Sequence, residues 1–88
     1  MTTLERAIEV YGKDMQLTVA VEEFSELIKE ICKNKRGADN IDNITEELAD
    51  CYIMMRQIEI IFGIEKNEIF SEIKNKVSRL NSRLAEAK

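Results

Sequence analysis

The residues best placed to do chemistry fall in two acidic clusters, Glu22-Glu23-Phe24-Ser25-Glu26 and Glu46-Glu47-Leu48-Ala49-Asp50. On a helix, Glu23 and Glu26 lie about one turn apart on one face, and so do Glu47 and Asp50. Like charges at that spacing repel, whereas a Lys or Arg three or four residues away would add roughly 0.2–0.5 kcal/mol per pair. Such cations are largely missing here, Lys29 within reach of Glu26 being the exception. The compensating charge must come from elsewhere, and a divalent ion is the economical source. Oxygen-only donors suit Mg²⁺, with Mn²⁺ as a possible substitute. The chain contains no His, which excludes the Glu-x-x-His pairs of di-iron bundles and argues against zinc. It also removes the usual base for a Ser or Cys nucleophile. Metal-assisted chemistry is what remains.

The elements that must position these acids are helices. Eighty-eight residues with no Pro, three Gly and long apolar-periodic runs indicate one all-α domain over 1–88, an antiparallel helical bundle of four helices, one of them short. The first helix is expected over about Thr3 to Tyr11, ending at Gly12 in a left-handed position. Asp14 is expected to cap a second helix running to about Arg36, with Gly37 closing it. After a polar loop, Asn43 with Glu46 resembles a capping box, so a third helix should begin near Ile44 and end before Gly63. A fourth is expected over about Glu65 to Ala87. The short loop between the second and third makes an antiparallel hairpin the default. Glu23 and Glu26 then face Glu47 and Asp50 across one groove. The third helix is apolar around more of its circumference than one stripe needs, and a chain this short cannot wrap it. Completion by self-association, as a homodimer or homotetramer, is therefore expected.

Charge is unevenly spread behind a net value of −4: no Lys or Arg occurs from Gly37 to Met55, whereas the region after Lys66 is rich in cations. An acidic chain without a long basic stripe argues against a nucleic acid polymer as partner. Lys76, Arg79 and Arg83 share one helical face and are candidates for holding phosphate oxygens. No signal peptide or membrane-length apolar run is visible, so no membrane partner is expected and the location is read as cytoplasmic. Cys32 and Cys51 are read as reduced residues of the core.

The pattern Glu23-x-x-Glu26, a spacer, then Glu47-x-x-Asp50, each preceded by another Glu, resembles the signature of the MazG-like all-α nucleoside triphosphate pyrophosphohydrolases. The similarity runs from about Gly12 through Arg79 and is strongest in the acidic motifs. It implies a four-helix-bundle-like fold assembled from more than one subunit and dependence on Mg²⁺. It also implies hydrolysis of a nucleotide substrate between the α and β phosphates to a monophosphate and pyrophosphate. By this resemblance Glu23, Glu26, Glu47 and Asp50 are the metal ligands, and Glu22 and Glu46 are candidates for orienting or deprotonating the attacking water. Gln16 shares a face with Ala20 and Glu23 and is a candidate contact to base or sugar. The match is loosest at Lys76, Asn81 and Arg83. The competing reading is a non-enzymatic oligomeric helical interaction protein whose acidic faces are merely solvated.

Overall fold

The computed structural model describes residues 1–87. It is all-helical among these residues, with helices α1 (Thr3–Tyr11), α2 (Lys13–Lys35), α3 (Ile41–Phe62) and α4 (Lys66–Glu86). Helix α1 opens with a complete capping box: the Thr2 hydroxyl accepts from the Glu5 amide and the Glu5 carboxylate accepts from the Thr2 amide. Gly12 serves two helices at once, ending α1 and preceding α2 at φ 93°. This backbone is positive in φ yet outside the left-handed helical region, and it lets α2 start one residue before the expected cap. Asp14 therefore sits inside the first turn of α2.

Helix α3 begins at Ile41, three residues before the position that an Asn43 cap would set. Its first turn closes with Ile44 N–H donating to the Asn40 carbonyl at 3.0 Å. The Asn40 side chain does not cap its own helix. It reaches back to α2 and donates to both the carbonyl oxygen and the carboxylate Oε1 of Glu30, each at 2.8 Å. A buried Asn has more to gain from two acceptors across the loop than from one solvated amide at a helix end. Gly63, at φ 66° and ψ 31°, terminates α3 in the left-handed conformation.

Helices α2 and α3 form the antiparallel hairpin, and α1 packs against both. The residues that α2 and α3 are seen to bring together, Gln16 with Gln57 and Glu23 with Asp50 and Glu47, fall on rows of heptad spacing. On α2 the inward row is Gln16, Ala20, Glu23, Leu27 and Glu30; on α3 it is Asn43, Glu47, Asp50, Met54 and Gln57. Steps of four and three residues are the signature of helices packed lengthwise with a slight left-handed twist. The buried apolar side chains, Ile8, Ala20, Cys51 and Met54, lie in or beside this hairpin.

Helix α4 buries no residue and does not pack lengthwise on the other three. It starts with a capping box between Glu65 and Glu68. Phe70, Ile73, Val77, Leu80 and Leu84 form an apolar row on it that stays open to solvent. The bundle within one chain thus consists of the hairpin and α1.

With so small a core, each buried side chain matters. Met54→Ala should cost about 2 kcal/mol, the lower part of the range for buried Met truncation. Ile53→Ala, one residue away and 43 % exposed, should cost well under half of that. Urea unfolding followed by circular dichroism compares the two.

Candidate metal centre

The acids of the two motifs meet at the middle of the hairpin seam. Glu23, Glu47 and Asp50 each bring a carboxylate oxygen to within 4.8 Å of the other two. Seven residues separate Gln16, Glu23 and Glu30 on α2, and seven separate Asn43, Asp50 and Gln57 on α3. The antiparallel pairing consequently stacks three polar rungs two helical turns apart. At one end the Gln16 amide donates to Gln57 Oε1 at 2.6 Å, both residues being buried. In the middle lie Glu23 and Asp50. At the loop end Glu30 accepts from Asn40 and pairs with Lys33 at 3.3 Å.

The outer rungs are satisfied, whereas beside the middle one an oxygen of Glu47 is not. Glu30 is held below the ordinary carboxylate range, first by its Asn40 hydrogen bond and then by Lys33, with Asn43 assisting. Glu23 moves the other way. Its pKa is raised chiefly by a hydrogen bond shared with Asp50, then by burial and by the charges of Asp50, Glu47 and Glu26. Glu47 is also raised, by burial first and then by Asp50, Glu26, Glu30 and Glu46. Its Oε2 is shut off from solvent without any hydrogen-bond partner. Neither ion pair among the described residues, Lys33 with Glu30 or Arg56 with Glu59, involves the triad.

A desolvated carboxylate oxygen without a donor is costly. A hard divalent cation supplies what it lacks, because such ions take carboxylate oxygens and keep waters in their remaining positions. The donor chemistry of Glu23, Glu47 and Asp50 fits that role. Cys51 lies beside them, its thiol donating to the Glu23 carbonyl at 3.6 Å. Burial and then the charges of Glu23, Glu47 and Asp50 push this thiol up, which keeps it protonated and unreactive.

Among the expected ligands Glu26 stands apart, exposed and outside the triad. Glu22 and Glu46 are exposed as well, next to Glu23 and Glu47 in the chain. Gln16 lies on the same seam as Glu23, with one amide hydrogen committed to Gln57. Lys76, Arg79 and Arg83 line one shallow depression on α4, a helix that one chain does not lay against the acids. Cys51 is buried as expected, but Cys32 is exposed. It follows Ile28 and Ile31 on the outer side of α2, where the single hairpin has nothing to cover it.

Sequence reasoning overlooked Glu30, Asn40 and Gln57. For two of them a signal was present: Glu30 lies seven residues beyond Glu23, and Gln57 seven beyond Asp50. Comparison of the chain with protein-family models, with curated proteins and with solved structures gives no match.

The opposed shifts make stability depend on pH in two directions. A carboxyl whose folded pKa is raised contributes stability that is complete below its unfolded value, near 4.5, and lost as pH rises through the folded value. Glu23 and Glu47 therefore weaken the metal-free protein as pH climbs above about 4.5 toward neutrality. Glu30, with its lowered value, contributes stability that is lost only as pH falls below that range. Glu47→Gln should raise the metal-free melting temperature at pH 7 and flatten its decline between pH 5 and 7. Mg²⁺ should raise the wild-type melting temperature more than that of the variant. Thermal melts across pH, with and without Mg²⁺, measure both.

Proposed function

We propose that this protein is a Mg²⁺-dependent nucleotide pyrophosphohydrolase. The observation that carries the reading is the buried, unpartnered Oε2 of Glu47 among three converging carboxylates. A solvated acidic face, as in a purely structural helical protein, would leave its carboxylates hydrated and their pKa values near normal. The MazG-like spacing of the acidic motifs supplies the reaction class, which the charges alone do not.

In this reading Glu23, Glu47 and Asp50 hold the ion, and Glu26 joins them by a rotamer change on its exposed side. Bound there, Mg²⁺ would neutralise phosphate charge and acidify a coordinated water. The remaining work falls to side chains. Glu22 and Glu46, both exposed, would accept a proton from the attacking water. As the water oxygen bonds to the α phosphorus, the bond from that phosphorus to the α–β bridging oxygen breaks. Pyrophosphate departs with that oxygen, and the monophosphate keeps the sugar and base. Gln16 lies two turns from Glu23 along the seam. Its bond to Gln57 leaves the Gln16 carbonyl oxygen and the Gln57 amide hydrogens for a base or sugar. Lys76, Arg79 and Arg83 would bind phosphate oxygens once assembly brings α4 close. Self-association as a homodimer or homotetramer belongs to this reading. No helix among the described residues is long and apolar enough to cross a membrane, and we place the activity in the cytoplasm as removal of unwanted nucleotides.

The test is pyrophosphate release across a panel of nucleoside triphosphates with Mg²⁺. At least one should be turned over, and Glu47→Ala and Asp50→Asn should each lower the rate by more than the 10–100-fold usual for outer-shell partners of a metal. Their circular dichroism should stay helical. A silent panel, together with no Mg²⁺ or Mn²⁺ binding by calorimetry, would sink the reading.

A further inference from the structure

The loop from Arg36 to Asn40 joins α2 to α3, and its last side chain faces backward onto α2. The Asn40 amide donates to the Glu30 carbonyl oxygen and to Glu30 Oε1, each at 2.8 Å, and Asn40 Oδ1 accepts from Asn34 at 3.2 Å. Both Asn40 and Glu30 are buried. An amide with both hydrogens and its oxygen engaged has one orientation. One of its acceptors is main chain, so the contact ties the start of α3 to the backbone of α2 and not only to a side-chain tip. The first turn of α3 meanwhile has no side-chain cap, although Asn is among the residues best suited to provide one. The contact across the loop has displaced the local one.

The position of this clamp relates it to the triad. Glu30 follows Glu23 by seven residues, and Asn40 precedes Glu47 by seven. Seven residues return a helix to within about 20° of the same face, about 10.5 Å further along. In an antiparallel pair, the contact of Asn40 with Glu30 therefore repeats the relation of Glu47 to Glu23 two turns away. The Gln16–Gln57 bond stands in the same relation to Glu23 and Asp50, seven residues from each. Each acid that α3 adds to the triad thus has a tie in its own register: Gln57 for Asp50, and Asn40 for Glu47.

Glu47 needs such a tie. Its Oε2 is desolvated without a donor, and the charges of Asp50, Glu26, Glu30 and Glu46 add to burial in opposing its ionisation. Turning α3 by one residue, about 100°, would carry Glu47 out of the seam and relieve both penalties. The Asn40 bonds resist that turn, because they break as α3 rotates. Asn40 itself and then Lys33, 3.3 Å away, hold Glu30 ionised, which keeps it a strong acceptor.

We infer that Asn40 is a positioning residue: clamped on Glu30, it fixes the register of α3 that holds Glu47 in the seam beside Glu23 and Asp50. Without the clamp the centre of the hairpin loosens and a cation held there is bound more weakly. The consequence for Mg²⁺ rests on the proposed function; the placement of Glu47 does not.

The experiment compares Asn40→Ala with Ile8→Ala, which removes a buried side chain of α1 away from the loop. In the metal-free protein, iodoacetamide reports on the middle of the seam through Cys51, buried beside Glu23, with exposed Cys32 as internal reference. Peptide mass spectrometry should show Cys51 alkylated at least about tenfold faster in Asn40→Ala than in Ile8→Ala at equal distance below their melting temperatures, because only the first opens this seam locally. Calorimetry with Mg²⁺ alone should give a dissociation constant about tenfold higher in Asn40→Ala, the low end of the cost of an outer-shell partner. In Ile8→Ala it should stay within about twofold of the native value, the two sites being independent. Asn40→Asp, which sets a carboxylate against Glu30, should be at least as damaging as Asn40→Ala. Adding Glu30→Gln to it should restore Mg²⁺ affinity, since the Gln amide can then donate to the Asp. Should Asn40→Ala fail to fold, Asn40→Ser, which keeps one donor, carries the same comparison. Cys51 labelling that merely follows melting temperature in both variants, or no rescue in the Asp–Gln pair, overturns the inference. A native protein that binds no Mg²⁺ sinks the proposed function instead, and the Cys51 comparison then decides the placement of Glu47.

Discussion

One carboxylate oxygen, Glu47 Oε2, is desolvated, faces other acids and has no donor. The rest of the hairpin accommodates this arrangement. Asn40 ties the loop end to Glu30 with two short hydrogen bonds, and Gln16 with Gln57 ties the opposite end. Both ties are neutral amide contacts or are compensated by a nearby cation, so they hold the helices together while the middle rung pushes them apart. Repulsion at the centre of a hairpin is tolerable only between closed ends. A seam alternating satisfied and unsatisfied polar rungs is thus a way to keep acids close without a positive side chain among them.

This organisation has a cost in hydrophobic burial. Polar residues fill three of the five inward positions on α2 and four of the five on α3, so Ala20, Leu27 and Met54 supply most of the apolar contact within the seam. A conventional bundle would place Leu or Ile at those polar positions, each worth about 1.5–3 kcal/mol when buried. The chain forgoes this, while Val21, Ile28, Leu48 and Met55 on the adjacent sides of the same helices stay exposed.

Much of the architecture was legible because it rests on local rules. Helix number, the hairpin, the Gly63 terminus and the bounds of α1 follow from periodicity, from the absence of Pro and from glycine at turn positions. The start of α3 was not, because the decisive contact is long-range: Asn40 serves α2, and Asn43 loses the cap it resembled. Asp14 gave way to Gly12 because a positive-φ glycine lets two helices meet without an intervening cap. Within the site, Glu23, Glu47 and Asp50 were legible from spacing alone. The outward position of Glu26 was not, because its place one turn from Glu23 says which face it shares and not how far it sits from the partner helix. The tie between Gln16 and Gln57 was hidden for a similar reason: either Gln alone is an ordinary helix residue, and only the antiparallel register pairs them.

That register also accounts for why two motifs so alike occur in opposite directions along the hairpin. When helices run antiparallel, residues that step seven forward on one meet residues that step seven back on the other. Glu23 opposes Asp50, and the flanking rungs repeat the relation with Gln16 against Gln57 and Glu30 against Asn43. The hairpin is therefore nearly symmetric about an axis through its middle rung. Near that axis α2 contributes Glu23 and α3 contributes Glu47 and Asp50, which brings oxygens from opposite sides around one point. Away from it the symmetry is broken by chemistry: amide against amide at one end, carboxylate against amide at the other. Only the centre pairs like charges. The three-carboxylate cluster is thus a consequence of placing an acid at the one position of an antiparallel heptad seam where it must meet its counterpart.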